Sequence, residues 1–359
     1  MRPLRFPPLV VGPAIALAFA AGCGRPAANI PLTVIGAGRD TLHILGGDAT
    51  QAAWLGGERW AVISPATSAL NVLDFSTRTV VPLAGAAPDA LQHPAGIFSL
   101  ADTLFVTDWG LRRTTVWSPE GRMLRAIPAP DLTAGALPRG IDGAGRFYYE
   151  IAPPARADGS GNHDSAAVVR VAPGAARADT VARLAPLDLA QVESDAGSRF
   201  EQRVFSGQDA WGVVPDGSVW VARVRQNRVD WIAPDGRVTR GASLPDRILE
   251  VTRTDRELFV RRFPAELRST VEQLPFAPVK PPFEAAFTGP GPTVWIEKSQ
   301  AVNDSARAYH LVARDGKPAR EVRVRGYWSR VLAVNGRSAL VADPDSTGFR
   351  LTEAPLPPR

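Results

Sequence analysis

Six short segments repeat one order of positions: a large apolar residue, a Val-like residue, then a polar or turn residue. They are RWAVIS around Trp60, LFVTD around Phe105, FYYEI around Tyr148, VWVAR around Trp220, VWIEK around Trp295 and ALVAD around Leu340. In five of the six an apolar strand lies just upstream (AGIFSL, RGIDG, WGVVP, EAAFTG, RVLAV), joined by a tight turn such as GAGR or PDGS. A third strand follows in each unit (LNVLDF, TTVWSP, AVVRVA, NRVDWIA, YHLVA, GFRLT). Three of these run into a glycine turn, PEGR, PDGR or RDGK, of the kind two antiparallel strands need to reverse in register. Weaker fourth strands, MLRAI, VARLA, RVTRGA and AREVRV, close the units.

Each unit is therefore a four-stranded antiparallel meander, and repetition of such units predicts an all-β six-bladed β-propeller. Trp60, Phe105 and Tyr148, and again Trp295 and Leu340, stand about 45 residues apart, the length of one blade. The two longer intervals, to Trp220 and to Trp295, hold a blade plus about thirty residues of insertion. The last unit ends at GFRLTEAPLPPR with three strands, while Leu32–Ile35 and Thr41–Leu45 precede the first unit without one of their own. One of those N-terminal segments is expected to supply the missing strand and remove an exposed edge. A seventh blade built on RELFV would crowd its neighbours, and 247–274 reads as a helical insertion instead. Thr254 and Glu257 have capping-box spacing, Leu267, Val271 and Leu274 share a helical face, and Pro264 suits a second helix's first turn.

Composition agrees with many short strands. Gly (32) and Pro (33) punctuate the whole chain, and 21% charged against 45% apolar residues is globular rather than disordered. The formal net charge is +5, but the basic residues form no block and only Lys280, Lys298 and Lys317 are lysines. Nucleic-acid binding needs a clustered footprint, so none is expected.

The N-terminus reads as an address. Arg2 and Arg5 precede the apolar run 9–20, which is of signal-peptide length and too short to span a bilayer as a mature helix. Ala20-Ala21-Gly22-Cys23 then resembles a bacterial lipobox, with Ala20 where leucine is more usual. The resemblance implies cleavage before Cys23 and acylation (palmitate) of its thiol. Cys23 is the only cysteine, so no intrachain disulfide forms. The expected organisation is a signal peptide over 1–22, a tether over 23–31 and one propeller over 32–359. Gly24 follows Cys23, so the aspartate that argues for inner-membrane retention is not there. The expected place is the cell envelope, lipid-anchored and extracytoplasmic, in the outer membrane or periplasm of a diderm cell.

PAGIFSLADTLFVTDWGLRRTTVWSPEGRML resembles an NHL-type blade, with its Pro-x-Gly-Ile opening at Pro94–Ile97 and again at Pro138–Ile141. The opening weakens to Ala210-Trp211-Gly212-Val213 and is not recognisable in the last two blades. The resemblance, to NHL-like or TolB-like six-bladed lipoproteins, implies the fold strongly and function weakly, because this architecture hosts lyases, lactonases and pure binding modules.

Strand connections alternate between the two ends of a meander. The short turns fall on one face; the insertions 153–165, 187–207, 246–282 and 298–307 fall on the other. Function concentrates on variable loops held by a rigid scaffold, which marks the loop-rich face as the working surface. Residues just before each innermost strand should line the channel mouth there: His93, Arg139, Asp209, Glu284 and Arg330, with Asp48 or Gln51 from blade one. Their mixed signs suggest mutual pairing around a solvated rim. Alternatively, His93, Asp209 and Glu284 offer N and O donors to a divalent metal. The resemblance to propeller enzymes implies several channel histidines for a lyase, or channel Glu, Asn and Asp for a lactonase. Of His43, His93, His163 and His310 only His93 falls at a channel position, and no channel asparagine is evident.

Trp109, Arg112, Arg113, Arg223 and Arg225 fall in second-to-third loops and would form a basic patch for an acidic or carbohydrate partner. Other motifs point to structure. Asp343–Gly348 imitates a calcium loop but occupies a turn of the last blade, and its twelfth position is Ala354. Gly159–Asp164 is Gly-rich but does not join a strand to a helix. The expectation is a monomeric binding module for a protein, glycan or small ligand, acting through the loop-rich face without a cofactor. The alternative is a metal-dependent lactonase- or lyase-like hydrolase with its site in the channel.

Overall fold

The computed structural model describes residues 30–35, 40–83, 90–152, 165–194 and 197–357. The signal segment, Cys23, and most of the 153–165 insertion, with His163 and the Gly159–Asp164 run, lie outside the described residues. Two strands come first, β1 (Leu32–Ile35) and β2 (Thr41–Leu45). Blade one is β3 (Gln51–Gly56), β4 (Arg59–Ser64), β5 (Ala69–Asp74) and β6 (Thr79–Pro82). Blade two is β7 (Pro94–Leu100), β8 (Thr103–Asp108), β9 (Arg113–Trp117) and β10 (Met123–Pro128). Blade three is β11 (Pro138–Ile141), β12 (Phe147–Ile151), β13 (Ala167–Val171) and β14 (Asp179–Arg183). A separate hairpin, β15 (Leu189–Ser194) and β16 (Gly197–Gln202), follows. Blade four is β17 (Ala210–Val213), β18 (Val219–Arg223), β19 (Arg228–Ile232) and β20 (Val238–Arg240). After α1 (Arg253–Val260) and α2 (Arg268–Glu272), blade five is β21 (Phe283–Thr288), β22 (Thr293–Lys298), β23 (Ala306–Ala313) and β24 (Pro318–Arg325). Blade six is β25 (Arg330–Val334), β26 (Ser338–Asp345) and β27 (Gly348–Pro355), with β2 as its fourth strand.

The chain is a six-bladed β-propeller closed by its own N-terminal strand. Of the two segments available for closure, Thr41–Leu45 does the work. It pairs antiparallel with β27 and buries Leu42 and Ile44 among Trp60, Leu332 and Leu340. Leu32–Ile35 instead adds a parallel fifth strand to blade five, with Ile35 buried against Val322 and Val324.

Apolar alternation places the core between blades, not within one centre. Trp60 belongs to the core between blades six and one, Leu104 and Trp117 to that between one and two, and Tyr148 and Val219 to that between three and four. Trp220 and Ile296 pack between blades four and five, and Trp295 and Tyr309 between five and six. Between blades two and three the Phe105 and Phe147 rings meet edge to face at 5.7 Å. Fully burying an aromatic side chain contributes about 2–3 kcal/mol, so each repeat supplies its own adhesive for the next. The inner strand must pass close over these rings. A Cβ on Gly212 would sit 2.6 Å from Trp220, and one on Gly289 2.7 Å from Trp295.

The repeated glycine phrases are third-to-fourth turns. The Gly121, Gly236 and Gly316 amides bond back three residues to Ser118, Ala233 and Ala313, with φ of +87°, +86° and +75°. That left-handed backbone is open to glycine at little steric cost, which explains the repetition. All three stand on the face opposite the insertions. In the Asp343–Gly348 turn, Asp345 accepts from the Thr347 and Gly348 amides at 2.8 and 3.0 Å.

The helical insertion forms, with a different cap. Thr252, not Thr254, is the N-cap, and its hydroxyl exchanges hydrogen bonds with Asp255 rather than Glu257. Asp255 wins because Lys280 lies 2.6 Å from its buried carboxylate, a partner only the folded chain supplies. Pro264 precedes a short 3-10 turn, Ala265–Leu267, that leads into α2. No helix among the described residues is long and apolar enough to cross a membrane.

Candidate functional site

The channel-mouth residues stand at the starts of the innermost strands, but they do not pair with one another. Arg139, Glu284, Asp209, Gln51 and Asp48 are instead held by partners of their own or a neighbouring blade. Arg139 pairs with Glu150 and covers the Trp211 ring at 5.4 Å, while Glu150 also accepts from the Trp211 indole at 2.7 Å. This ties blade three to blade four. Glu284 accepts from Arg307 at 3.1 Å, and Arg307 is buried between Glu284, Glu297 and the Tyr327 carbonyl. Gln51 reaches across to blade two, donating to the Ala95 carbonyl at 3.2 Å and accepting from the Ile97 amide at 3.4 Å. Asp48 accepts from the Ala66 amide at 2.9 Å. His93 and Arg330 are exposed at the rim.

Asp209 is the most enclosed of the set, with a side chain 0% exposed. Its carboxylate accepts from the Ala185 amide, the Val224 amide and the Arg223 guanidinium, each at 2.9 Å. A carboxylate filled in this way has little left for a ligand. The metal alternative needs His93, Asp209 and Glu284 to converge. Among the described residues no group of three or more His, Cys, Asp or Glu side chains is placed to hold a metal ion. The donor set does not fit such a centre.

The basic loop residues divide into two kinds. Arg223 is an internal latch, bonded to Asp209, to Asp230 at 3.2 Å and to the Arg183 carbonyl at 2.7 Å. Arg113 donates to the Ala90 carbonyl at 3.0 Å. By contrast, Trp109 is 57% exposed with Arg112 over its ring at 5.8 Å, and Arg225 is exposed, donating to the Pro186 carbonyl. Trp109 therefore remains available to a partner on the loop-rich face, beside Arg112, whose guanidinium also donates to the Gly135 carbonyl at 3.3 Å.

Sequence reasoning missed the main feature of that face. The 187–207 link contains the β15–β16 hairpin, and its base joins the helical insertion. Val204 bridges Phe276 in parallel, the Val204 amide bonding Pro275 at 2.8 Å and the Ala277 amide bonding Val204 at 2.9 Å. Phe205, Phe259 and Phe276 pack with ring centres 5.7–6.1 Å apart, and Phe263 joins Phe259 at 5.4 Å. Two insertions from different blade junctions thus form one raised platform. Around it Trp328, Ile248, Leu267 and Val279 are exposed, and Arg262 lies over Trp328 at 5.9 Å. The four-residue spacing of Phe259 on α1 and Phe263 just past its end was the one available signal.

Two hollows adjoin the platform. One, of about 480 Å³, lies between α1 and α2 on a floor of Val260, Leu274 and Phe276, with arginines around it. The other, of about 340 Å³, is walled by Asp246, Lys298, Ser299, Asp304, Glu321 and Arg323. At its edge Asp246 binds both Lys298 (2.8 Å) and buried His310 (2.9 Å), and Lys298 also reaches Glu321 at 3.3 Å. Burial alone would raise the Asp246 pKa, but His310 and Lys298 override it and hold the carboxyl at about 2. Glu321 is likewise lowered: burial opposes, and Arg323 and Lys298 prevail.

No family model matches the chain. No curated protein matches it either. Among solved structures, a member of the DUF4221 family from Bacteroides vulgatus is similar at a TM-score of 0.50 and 8% identity, covering 89% of this chain and 96% of that one. A streptogramin B lyase gives 0.46 at 10%, covering 88% and 96%. The calcium-binding protein regucalcin from Agrobacterium tumefaciens gives 0.45 at 9%, covering 92% and 98%. At these identities the likeness is one of fold, and function must be read from this chain's own residues.

Proposed function

We propose that the protein is an extracytoplasmic, lipid-anchored propeller that binds a protein, glycan or small ligand through its loop-rich face. The observation that carries this reading is the platform. The β15–β16 hairpin and the α1–α2 insertion zip together above one face and surround it with Trp328, Ile248 and Val279, while Trp109 stands exposed on the same face. Large exposed aromatics beside arginines are the composition of interface anchors. The channel, where an enzyme of this architecture would be sought, offers carboxylates already committed to Arg223 and Arg307.

Exchanging residues 189–202 and 246–279 for short turns should leave the ring folded and abolish partner capture by cross-linking in whole cells. Trp109→Ala with Trp328→Ala is the gentler second variant, expected to weaken capture with no change in thermal unfolding. An unchanged set of captured partners in both variants overturns the reading. For the anchor, Cys23→Ser should release the protein from membranes, and continued membrane association counts against lipidation.

A further inference from the structure

We infer that the hollow between α1 and α2 binds an anionic amphiphile, a single carboxylate or phosphate group carried on an apolar body. This deepens the loop-face reading and rests on it. Arg253, Arg256, Glu257, Val260 and Arg261 line the hollow from α1 and its C-cap, and Arg268 and Glu272 do so from α2. Spacings of three and four residues put the α1 set on one helical face.

Four arginines against two glutamates leave an excess of positive charge, and the pairing makes it local. Arg253 is engaged by Glu257 at 2.7 Å, and Arg268 donates to the Phe263 carbonyl at 3.1 Å. Arg256 lies over the Phe276 ring at 5.2 Å and has no carboxylate partner among the described residues, nor has Arg261. Arg256 and Arg261, with Arg268 bonded only to a carbonyl, thus stand beside a floor of Val260, Leu274 and Phe276, and Glu272 is the one lining carboxylate set against these three guanidiniums. A planar fork of donors suits carboxylate or phosphate oxygens, and the floor suits hydrocarbon or a ring. The volume of about 480 Å³ falls within the range of small-ligand sites, about 300–1,000 Å³. The hollow is built on the rigid part of the platform, since Val260 is buried and Phe276 is fixed by Phe205 and Phe259.

The test is calorimetric titration of the full chain with decyl phosphate, inorganic phosphate and decyl maltoside. Decyl phosphate should bind saturably at one site, and each of the other two at least about tenfold more weakly, since each lacks half of the recognition. Arg256→Gln with Arg261→Gln should weaken decyl phosphate at least about tenfold without altering thermal unfolding, because each lost charge-assisted hydrogen bond is worth about that factor. Arg237→Gln, on the opposite face, should change nothing. Absence of saturable binding, equal binding of decyl maltoside, or an unaffected double variant overturns the inference.

Phosphatidate vesicles and the Cys23→Ser chain separate the two sources of such a ligand. Arginine-dependent co-sedimentation identifies a bilayer lipid, and binding of soluble decyl phosphate alone identifies a free amphiphile. If the intact chain ignores decyl phosphate while the insertion exchange still abolishes partner capture, this inference fails and the loop-face reading stands. Decyl phosphate binding with unchanged capture is the reverse outcome.

Discussion

Asp246 offers a sharp test of how the platform is fastened to blade five. Its side chain is 5% exposed and accepts from Lys298 at 2.8 Å and His310 at 2.9 Å. Asp246→Asn keeps the shape and removes the charge. A carboxyl held at about 2 against an ordinary value of 3.8 stabilises the folded state by about 2 kcal/mol at neutral pH, taking about 1.4 kcal/mol per pKa unit. The folded pKa is the lower one. The contribution is therefore complete above 3.8, where the unfolded carboxyl is also ionised, and is lost as pH falls through about 2. At roughly 2.1 cal/mol/K of unfolding entropy per residue, about 2 kcal/mol lowers the melting temperature of a ring this size by about 3 °C. Urea unfolding followed by tryptophan fluorescence measures the deficit directly, because Trp220, Trp231 and Trp295 are buried in the adjoining blades. The deficit should shrink to a small fraction as pH falls from about 5 to about 2. A variant as stable as the parent at neutral pH, or one whose deficit does not change with pH, refutes the reasoning.

Two further changes test how blades are joined. Asp209→Ala strands the Ala185 and Val224 amides and one bond of Arg223, and should cost about 3 kcal/mol in urea unfolding; Asp209→Asn, which keeps an acceptor oxygen, should lose less. Tyr309→Phe keeps the buried ring of blade five but removes the acceptor of the Val331 amide at 2.9 Å in blade six. It should cost about 1–2 kcal/mol, seen as a lower melting temperature with unchanged circular dichroism.

The blade-level fold was legible because it is written locally. Period-two alternation, a large ring at each second strand, and turn glycines such as Gly236 act over a few residues, and repetition raises the signal above chance. The same local logic predicted which face carries the insertions, since a meander has only two ends. The fate of the channel residues was not legible. Asp209 and Glu284 were recognisable as charges near the axis, but their saturation by Arg223 and Arg307 depends on the curvature of loops. Thr252 with Asp255 has the same spacing as Thr254 with Glu257, so the sequence offers both caps, and the folded chain adds Lys280 beside Asp255 to the first.

What the sequence determined by itself was the unit, its number and the need for an N-terminal strand to close the ring. Between two strands able to close it, only packing chose. Leu42 and Ile44 of β2 alternate with exposed residues and fit the core beside Trp60, whereas β1 finds its place beside β24. Tertiary structure alone decided the platform and the sites on it. Val204 and Phe276, or Asp246 and His310, are far apart in the chain and carry no periodicity that joins them. Their meeting is set by the order of blades around the axis, a long-range property that no local pattern encodes.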